Sequence, residues 1–262
     1  MTLSSSEAAG PDPRPLHARI AADLRDEIMS GGLPPGSKLP STAQLKARFD
    51  ASNATIQKAV QLLKDEGLAL GRAGSAVTVR DTRQRTVRPA GSLTPAVDGA
   101  AYPWLAEASE PGRTGPAHST LLAVEEVPVV GDVAAALGLP EDSPAVCRRQ
   151  LISIDGEPAE LVSSYYPPDL ARGTALAEPR RIRGGTPTLL TELGFPPRRS
   201  VDRLSARVAT QEQYTALRLP GDLPVLRTLR TVYGDEERPI EVTVMVKAGH
   251  LYELRYEFTP EA

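Results

Sequence analysis

The sequence predicts an α+β protein of two domains: a small helical domain ending in a β-hairpin, then a larger domain built on antiparallel sheet. Three observations predict it. Apolar residues recur at helical spacing in three segments before residue 67. From residue 121 onward, short apolar runs alternate with turn residues, as strands do. Part of this second region also repeats itself 80 residues later, the mark of a duplicated structural unit.

The first helix is written in "PLHARIAADLRDEIMS" (15–30), where Leu16, Ile20, Leu24 and Ile28 stand four apart, Pro15 opens the helix and Gly31-Gly32 close it. "LPPGSKLP", carrying Lys38, is a proline-stiffened turn. In "STAQLKARF" Ser41 and Gln44 form a capping box for a short second helix that also presents Thr42 and Arg48. The third helix lies in "ASNATIQKAVQLLKDEG". Ser52 caps it, Ile56, Ala59, Val60 and Leu63 stripe it, and Gly67 ends it. Asn53, Thr55, Gln57 and Lys58 stand near its first turn, mostly off the stripe. Amides and hydroxyls there suit a helix that reads base edges better than one that is merely solvated. Two short strands then flank "GRAGS", a hairpin turn with Arg72 and Ser75 at its tip.

Helix, short helix, turn, helix and hairpin in this order predict a winged helix-turn-helix over residues 14–82. Its third helix would enter the major groove of double-stranded DNA, and its hairpin would reach the backbone or minor groove, which makes Lys38, Ser41, Thr42, Gln44, Arg48, Ser52, Asn53, Thr55, Gln57, Lys58, Arg72 and Ser75 the candidate DNA contacts. Charge agrees with this. Residues 14–88 hold 13 Lys/Arg against 7 Asp/Glu, a net +6, whereas residues 89–262 hold 17 against 24, a net −7. A basic first third on an acidic remainder is expected where one part meets a polyanion. Residues 1–13 are read as a disordered tail, because they lack the basic and apolar segments of a signal peptide. No apolar run is long enough for a membrane span. The single cysteine, Cys147, fits a reducing cytoplasm.

Residues 83–97 are read as a linker and 98–262 as the second domain, with "AYPWLAEA" (101–108) as a packed element near its start. The repeat aligns "ALGLPEDSPAVCRRQLISIDGEPAE" (136–160) with "ALRLPGDLPVLRTLRTVYGDEERPIE" (216–241). Each copy reads as the end of a helix, a turn, a strand, a hairpin turn and a second strand. One inserted residue brings Pro158 onto Pro239 and Glu160 onto Glu241. Two copies predict a pseudo-symmetric antiparallel sheet. Buried charges in such a sheet need partners, so Glu160 and Glu241 either pair with Arg149 or Arg230 or face a ligand. Of the neighbours Arg148 and Arg149, alternation sends only one inward.

Residues 15–79 resemble the DNA-binding domain of GntR-family transcriptional regulators, through "G.L.PG..LPS", the turn serine Ser52, "AT...A...L..EGL" and the glycine-bearing wing. Where that family usually has three arginines, this chain has Ala43, Asn53 and Gln57. The fold assignment survives the change, but the family's guanine contacts do not transfer, because an amide prefers the adenine edge. Residues 98–262 resemble the UTRA effector domain of the HutC subfamily, a chorismate-lyase-like fold, through "LGLPEDSP", "DGEPAELVSSYYP" and "RPIEVTVMV". The resemblance implies an effector pocket lined by Arg148, Arg149, Glu160, Ser163, Tyr165, Glu241, Thr243 and Lys247. In it arginine, serine and tyrosine would hold an anionic or phosphorylated metabolite, and glutamate a hydroxyl or amine. The family often has tyrosine where Lys247 stands and glutamate where Val162 stands.

The reading is a DNA-binding transcriptional regulator, a homodimeric repressor released from a roughly palindromic operator by a small-molecule effector. The alternative is a ligand-independent repressor whose second domain only dimerises. An enzyme is not expected, nor any cofactor or metal site. His17, His118 and His250 lack ligand spacing, and no phosphate loop or nucleophile elbow occurs.

Overall fold

The structure, a computed structural model, describes residues 12–71, 76–80, 84–89, 118–154, 156–221 and 223–258. Arg72 and Ser75 of the hairpin tip, "AYPWLAEA", most of the N-terminal tail and residues 90–97 lie outside the described residues. The chain divides into two compact units, with the boundary between Arg83 and Gln84.

In the first unit α1 (Leu16–Met29), α2 (Thr42–Phe49) and α3 (Asn53–Asp65) pack through the predicted stripes. Ile20, Leu24, Leu45, Ile56, Ala59 and Leu63 are the centre of one core, which Leu39, Leu68 and Val79 extend beneath the hairpin. Both predicted caps form. Ser41 and Gln44 complete a reciprocal capping box, and Asp50 ends α2 in the left-handed conformation at φ 46°. Ser52 Oγ accepts the Thr55 amide at 3.2 Å and lies 2.9 Å from Thr55 Oγ1. Arg25 Nε, from α1, donates to Glu66 Oε2 at 2.8 Å and ties the end of α3 to the first helix. Strands β1 (Ala69–Leu70) and β2 (Thr78–Val79) pair antiparallel, and Lys38 bridges to Thr78. Ser52→Ala would strand an amide at the start of α3 and is expected to lower the stability of this unit by about 1 kcal/mol, measured by urea denaturation.

The second unit holds a six-stranded antiparallel sheet of order β4-β5-β6-β9-β8-β7. Its strands are β4 (His118–Val129), β5 (Ser143–Ile154), β6 (Glu157–Tyr166), β7 (Arg199–Arg207), β8 (Val225–Tyr233) and β9 (Pro239–Ala248). Helix α4 (Gly131–Leu137) joins β4 to β5; α5 (Pro168–Ala171) and α6 (Thr186–Glu192) lie between β6 and β7; α7 (Gln211–Ala216) joins β7 to β8. The duplication is therefore β4-α4-β5-β6 against β7-α7-β8-β9, with β6 and β9 antiparallel at the centre. Each copy begins one strand earlier than the aligned residues suggest.

The copies also share an irregularity. In β5–β6 the register skips Ala159, and in β8–β9 it skips Ile240. Each bulge follows a proline, Pro158 or Pro239, which cannot donate to the ladder, and each precedes one of the paired glutamates. Residues of α4, including Val133 and Leu137, pack with Ala145, Leu229 and Val242 on one face of the sheet. Tyr166, Leu170, Leu176, Leu190, Val232 and Ile240 form a core where α5 and α6 cover the other face.

Within the segment 83–97, expected to be linker, Arg85–Val87 form β3, which pairs in parallel with β10 (Tyr252–Leu254). Gln84 Nε2 supports the pairing by donating to the carbonyls of Gly249 at 2.9 Å and Tyr252 at 3.0 Å. The partner strand lies far down the chain, so no local pattern announces this element.

Candidate functional site

Two sites follow from the fold, one in each unit. On α3 the apolar stripe faces the core, which leaves Asn53, Gln57 and Lys58 exposed on the outer side of its first two turns. Neither amide side chain has a hydrogen-bond partner among the described residues, so both are free to bind outside the chain. Thr55 is half-buried and bonded to Ser52, so these two serve the cap. Ser41 and Gln44 are likewise spent on each other: the Ser41 amide and hydroxyl both donate to Gln44 Oε1 at 2.8 Å. Thr42 is half-buried and Lys38 is exposed. Arg48 pairs with Glu27 of α1 and lies over the Phe49 ring, 4.7 Å from its centroid. Of the predicted set, then, Asn53, Gln57, Lys58 and Lys38 are solvent-facing and available, while Ser41, Gln44, Arg48, Ser52 and Thr55 have structural partners.

The second site is a cleft of about 930 Å³, counted to its open mouth, on the sheet face opposite α4. Its floor is the inward row of four strands: Gln150 and Ile152 of β5; Glu160, Val162 and Ser164 of β6; Glu241, Thr243, Met245 and Lys247 of β9; Thr228, Arg230 and Val232 of β8. Asp202, Thr186, Pro187, Val87, Pro89 and Leu254 wall it. Thus β3 and β10 form one side of the cleft, and its wall begins a few residues after the unit boundary.

Most charges in the cleft are already paired. Lys247 Nζ donates to Glu160 Oε1 at 2.7 Å, both groups being buried, and the Tyr252 hydroxyl reaches Glu160 Oε2 at 3.3 Å. Arg230 holds Asp202 with a two-pronged contact, 2.7 Å on each side, and donates to the Pro89 carbonyl at 3.3 Å. Among the described residues Glu241 has no salt bridge of this kind. Its Oε1 accepts from Thr243 Oγ1 at 2.5 Å, and Thr243 is 2.8 Å from Ser164 Oγ. Burial holds the Glu241 carboxyl above its ordinary range, against the Thr243 hydrogen bond and the field of Arg230. The stability linked to such a group is complete below its unfolded pKa and lost as pH rises through the folded one. Glu241→Gln is therefore expected to melt above wild type at neutral pH, with the margin closing toward acid. A thermal-denaturation series over pH checks this.

Four of the residues expected in the pocket line the cleft: Glu160, Glu241, Thr243 and Lys247. The other four do not. Ser163 and Tyr165 share a face, as expected, but it is the opposite one, because strand side chains alternate and both differ in parity from Glu160. Tyr165 packs beside the α4 core. Arg149 falls on the same outer side and pairs with Glu212 of α7. Arg148 does turn inward and is 2% exposed, but backbone carbonyls surround its guanidinium: Leu176 at 2.8 Å, Glu178 at 2.9 Å and Arg180 at 2.6 Å. It anchors the segment after α5. Desolvation holds its pKa below the usual guanidinium value. The expected salt bridges also change partners: Glu160 pairs with Lys247, not Arg149, and Arg230 pairs with Asp202, not Glu241.

Sequence reasoning missed Thr228, Ser164 and Asp202, and gave Arg230 only as a partner for the glutamates. Two-residue alternation from Glu160 would have found Ser164, but Asp202 sits on an edge strand of polar composition.

Comparison with known proteins agrees with both units. Residues 16–79 match the model of bacterial regulatory proteins of the gntR family, and residues 113–253 match the UTRA domain. An uncharacterized HTH-type transcriptional regulator of Streptomyces coelicolor is 28% identical over 252 residues, covering 93% of each chain. PhnF of Escherichia coli is 29% identical over 250 residues, covering 92% of this chain and 94% of its own. Among solved structures, a GntR-family transcriptional regulator superposes with TM-score 0.61 at 23% identity, over 95% of this chain and 99% of that one. PhnF from Mycobacterium smegmatis superposes at 0.57 and 16% identity, over 92% of this chain and all of that one. At these identities the superpositions speak to fold alone. The chain belongs to the GntR family of bacterial regulatory proteins and carries a UTRA effector domain; it is a DNA-binding transcriptional regulator that takes a small-molecule effector, and not an enzyme.

Proposed function

We propose that the protein acts in the cytoplasm as a homodimeric repressor, released from a roughly palindromic operator when an effector fills the cleft. The observation that carries this is the cleft wall: Val87 and Pro89 line it only a few residues after the boundary at Arg83. Occupancy therefore bears on the chain segment that leads to the DNA-binding unit. An effector that binds one arrangement of that segment better than another shifts the population of DNA-competent protein. Two copies supply the two recognition helices that a two-fold operator requires. Fluorescence anisotropy on operator DNA, with and without cleft ligands, tests the reading; ligands that bind in the cleft and leave DNA affinity unchanged would overturn it.

Base reading falls to Asn53 and Gln57, with Lys38, Lys58 and the wing residue Arg72 on phosphates. Bidentate amide contacts to adenine discriminate by about 1–3 kcal/mol each. The half-site is therefore expected to contain an A·T pair opposite Asn53 or Gln57. Gln57→Ala should relax preference at one base pair, whereas Arg72→Ala should weaken binding to all sequences about equally. Selection from a randomised site measures both. Identical motifs for wild type and Gln57→Ala would mean that this side chain reads no base.

A further inference from the structure

The two repeats carry the same glutamate and neutralise it differently. Glu160 and Glu241 stand 81 residues apart, each directly after the bulge of its hairpin, and Tyr166 and Lys247 stand the same 81 residues apart. β6 and β9 run antiparallel with Glu160 opposite Lys247. The repeat relation therefore sets Tyr166 against Glu241 as it sets Lys247 against Glu160, and the β6–β9 ladder, which ends at Tyr165 opposite Val242, brings these two residues next to each other. One glutamate receives an ammonium at 2.7 Å; the other meets a neutral phenol.

The neighbouring cations are committed elsewhere. Arg230 is clasped to Asp202, and Arg148 is surrounded by carbonyls. An incoming phosphate or carboxylate would have to break one of these arrangements and would lie in a cleft that already holds an unmatched carboxylate. A polar group without a partner points to a ligand. Thr228 Oγ1 lines the same cleft, is buried with its residue 2% exposed, and has no hydrogen-bond partner among the described residues. Its register partner Met245 is four residues from Glu241 along β9, roughly 13 Å between Cα positions at strand rise. Less the reach of the two side chains, a chain of about five carbons fills that gap.

We infer that the cleft takes a small organic cation, a primary amine with a second polar group, whose ammonium supplies to Glu241, from the cleft side, the charge that Lys247 Nζ supplies to Glu160. The second polar group bonds Thr228, and Val162, Met245 and Val232 pack the body between. This inference rests on the reading of the cleft as the effector site.

The test uses the full chain and three probes of equal length: aminopentanol, pentanediol and hydroxypentanoate, compared by calorimetric titration. The amine is expected to bind about tenfold tighter than either analogue, as one charge-assisted hydrogen bond would give. In Glu241→Gln the preference should fall below about threefold, because the charge is gone and the shape kept. The wild-type comparison needs no variant to fold. Equal or tighter binding of hydroxypentanoate, binding by none of the three, or an amine preference unchanged in Glu241→Gln overturns the inference. Operator anisotropy separates it from the reading beneath it. An amine that binds through Glu241 without releasing DNA leaves the ligand class standing and removes the effector role. Release by hydroxypentanoate or glucose phosphate, without amine preference, does the reverse.

Discussion

Glu160→Ala is expected to destabilise the second unit by about 3–5 kcal/mol, the largest single effect among the cleft substitutions. The Lys247–Glu160 pair lies at the sheet centre, with both side chains under 5% exposed, so neither charge is screened by water when its partner is removed. Removing the carboxylate leaves an ammonium buried against the Tyr252 ring, 5.9 Å from its centroid, with no other ion-pair partner among the described residues. In a unit of this size the loss should appear as a melting shift of roughly 6–20 °C. The double replacement Glu160→Leu with Lys247→Met removes both charges at similar volume and is expected to recover most of that loss. A double-mutant cycle by calorimetry checks the pair. A single-mutant loss below about 1 kcal/mol would mean that water reaches the pair and that it behaves like a surface ion pair.

The full chain should bind operator DNA about 10²–10⁴-fold tighter than the isolated segment 14–82, because pairing of the second units makes the second half-site contact intramolecular. The segment has its own core of Ile20, Leu24, Leu45, Ile56 and Leu63, and its circular dichroism, recorded beside the titration, distinguishes weak binding from unfolding. Anisotropy titrations at one fixed salt concentration compare the two, since phosphate contacts make both affinities salt-dependent. Equal affinities would remove the homodimer from the proposal.

The first unit was legible because its signals are local. Helical spacing in α1 and α3 names the core, and Ser41-Gln44 and Ser52 name the starts of α2 and α3, each through contacts within four residues. The repeat was legible for a related reason: its turns and prolines recur at fixed offset, and two copies imply a pseudo-symmetric antiparallel sheet, whose centre the structure places at β6 and β9. The opening strands β4 and β7 escaped the alignment because edge strands lack the buried residues that preserve a recognisable pattern. β7, "RSVDRLSAR", is mostly polar. Strand parity also held information that went unused, since Glu160 cannot share a face with Ser163 or Tyr165.

By itself the sequence determined the two units, the capped third helix with exposed Asn53 and Gln57, and the duplication that pairs Glu160 with Glu241. These rest on periodicity and spacing, which the chain carries along its own length. Only the tertiary structure decided which charge meets which. Lys247 reaches Glu160 across 87 positions, Asp202 takes Arg230 from a neighbouring strand, and carbonyls after α5 absorb Arg148. Coulomb attraction and desolvation depend on distance in space, and several partners of equal chemistry compete for each charge. That competition, settled by the order of the strands, leaves Glu241 as the carboxylate in the cleft with a phenol where its counterpart has an ammonium.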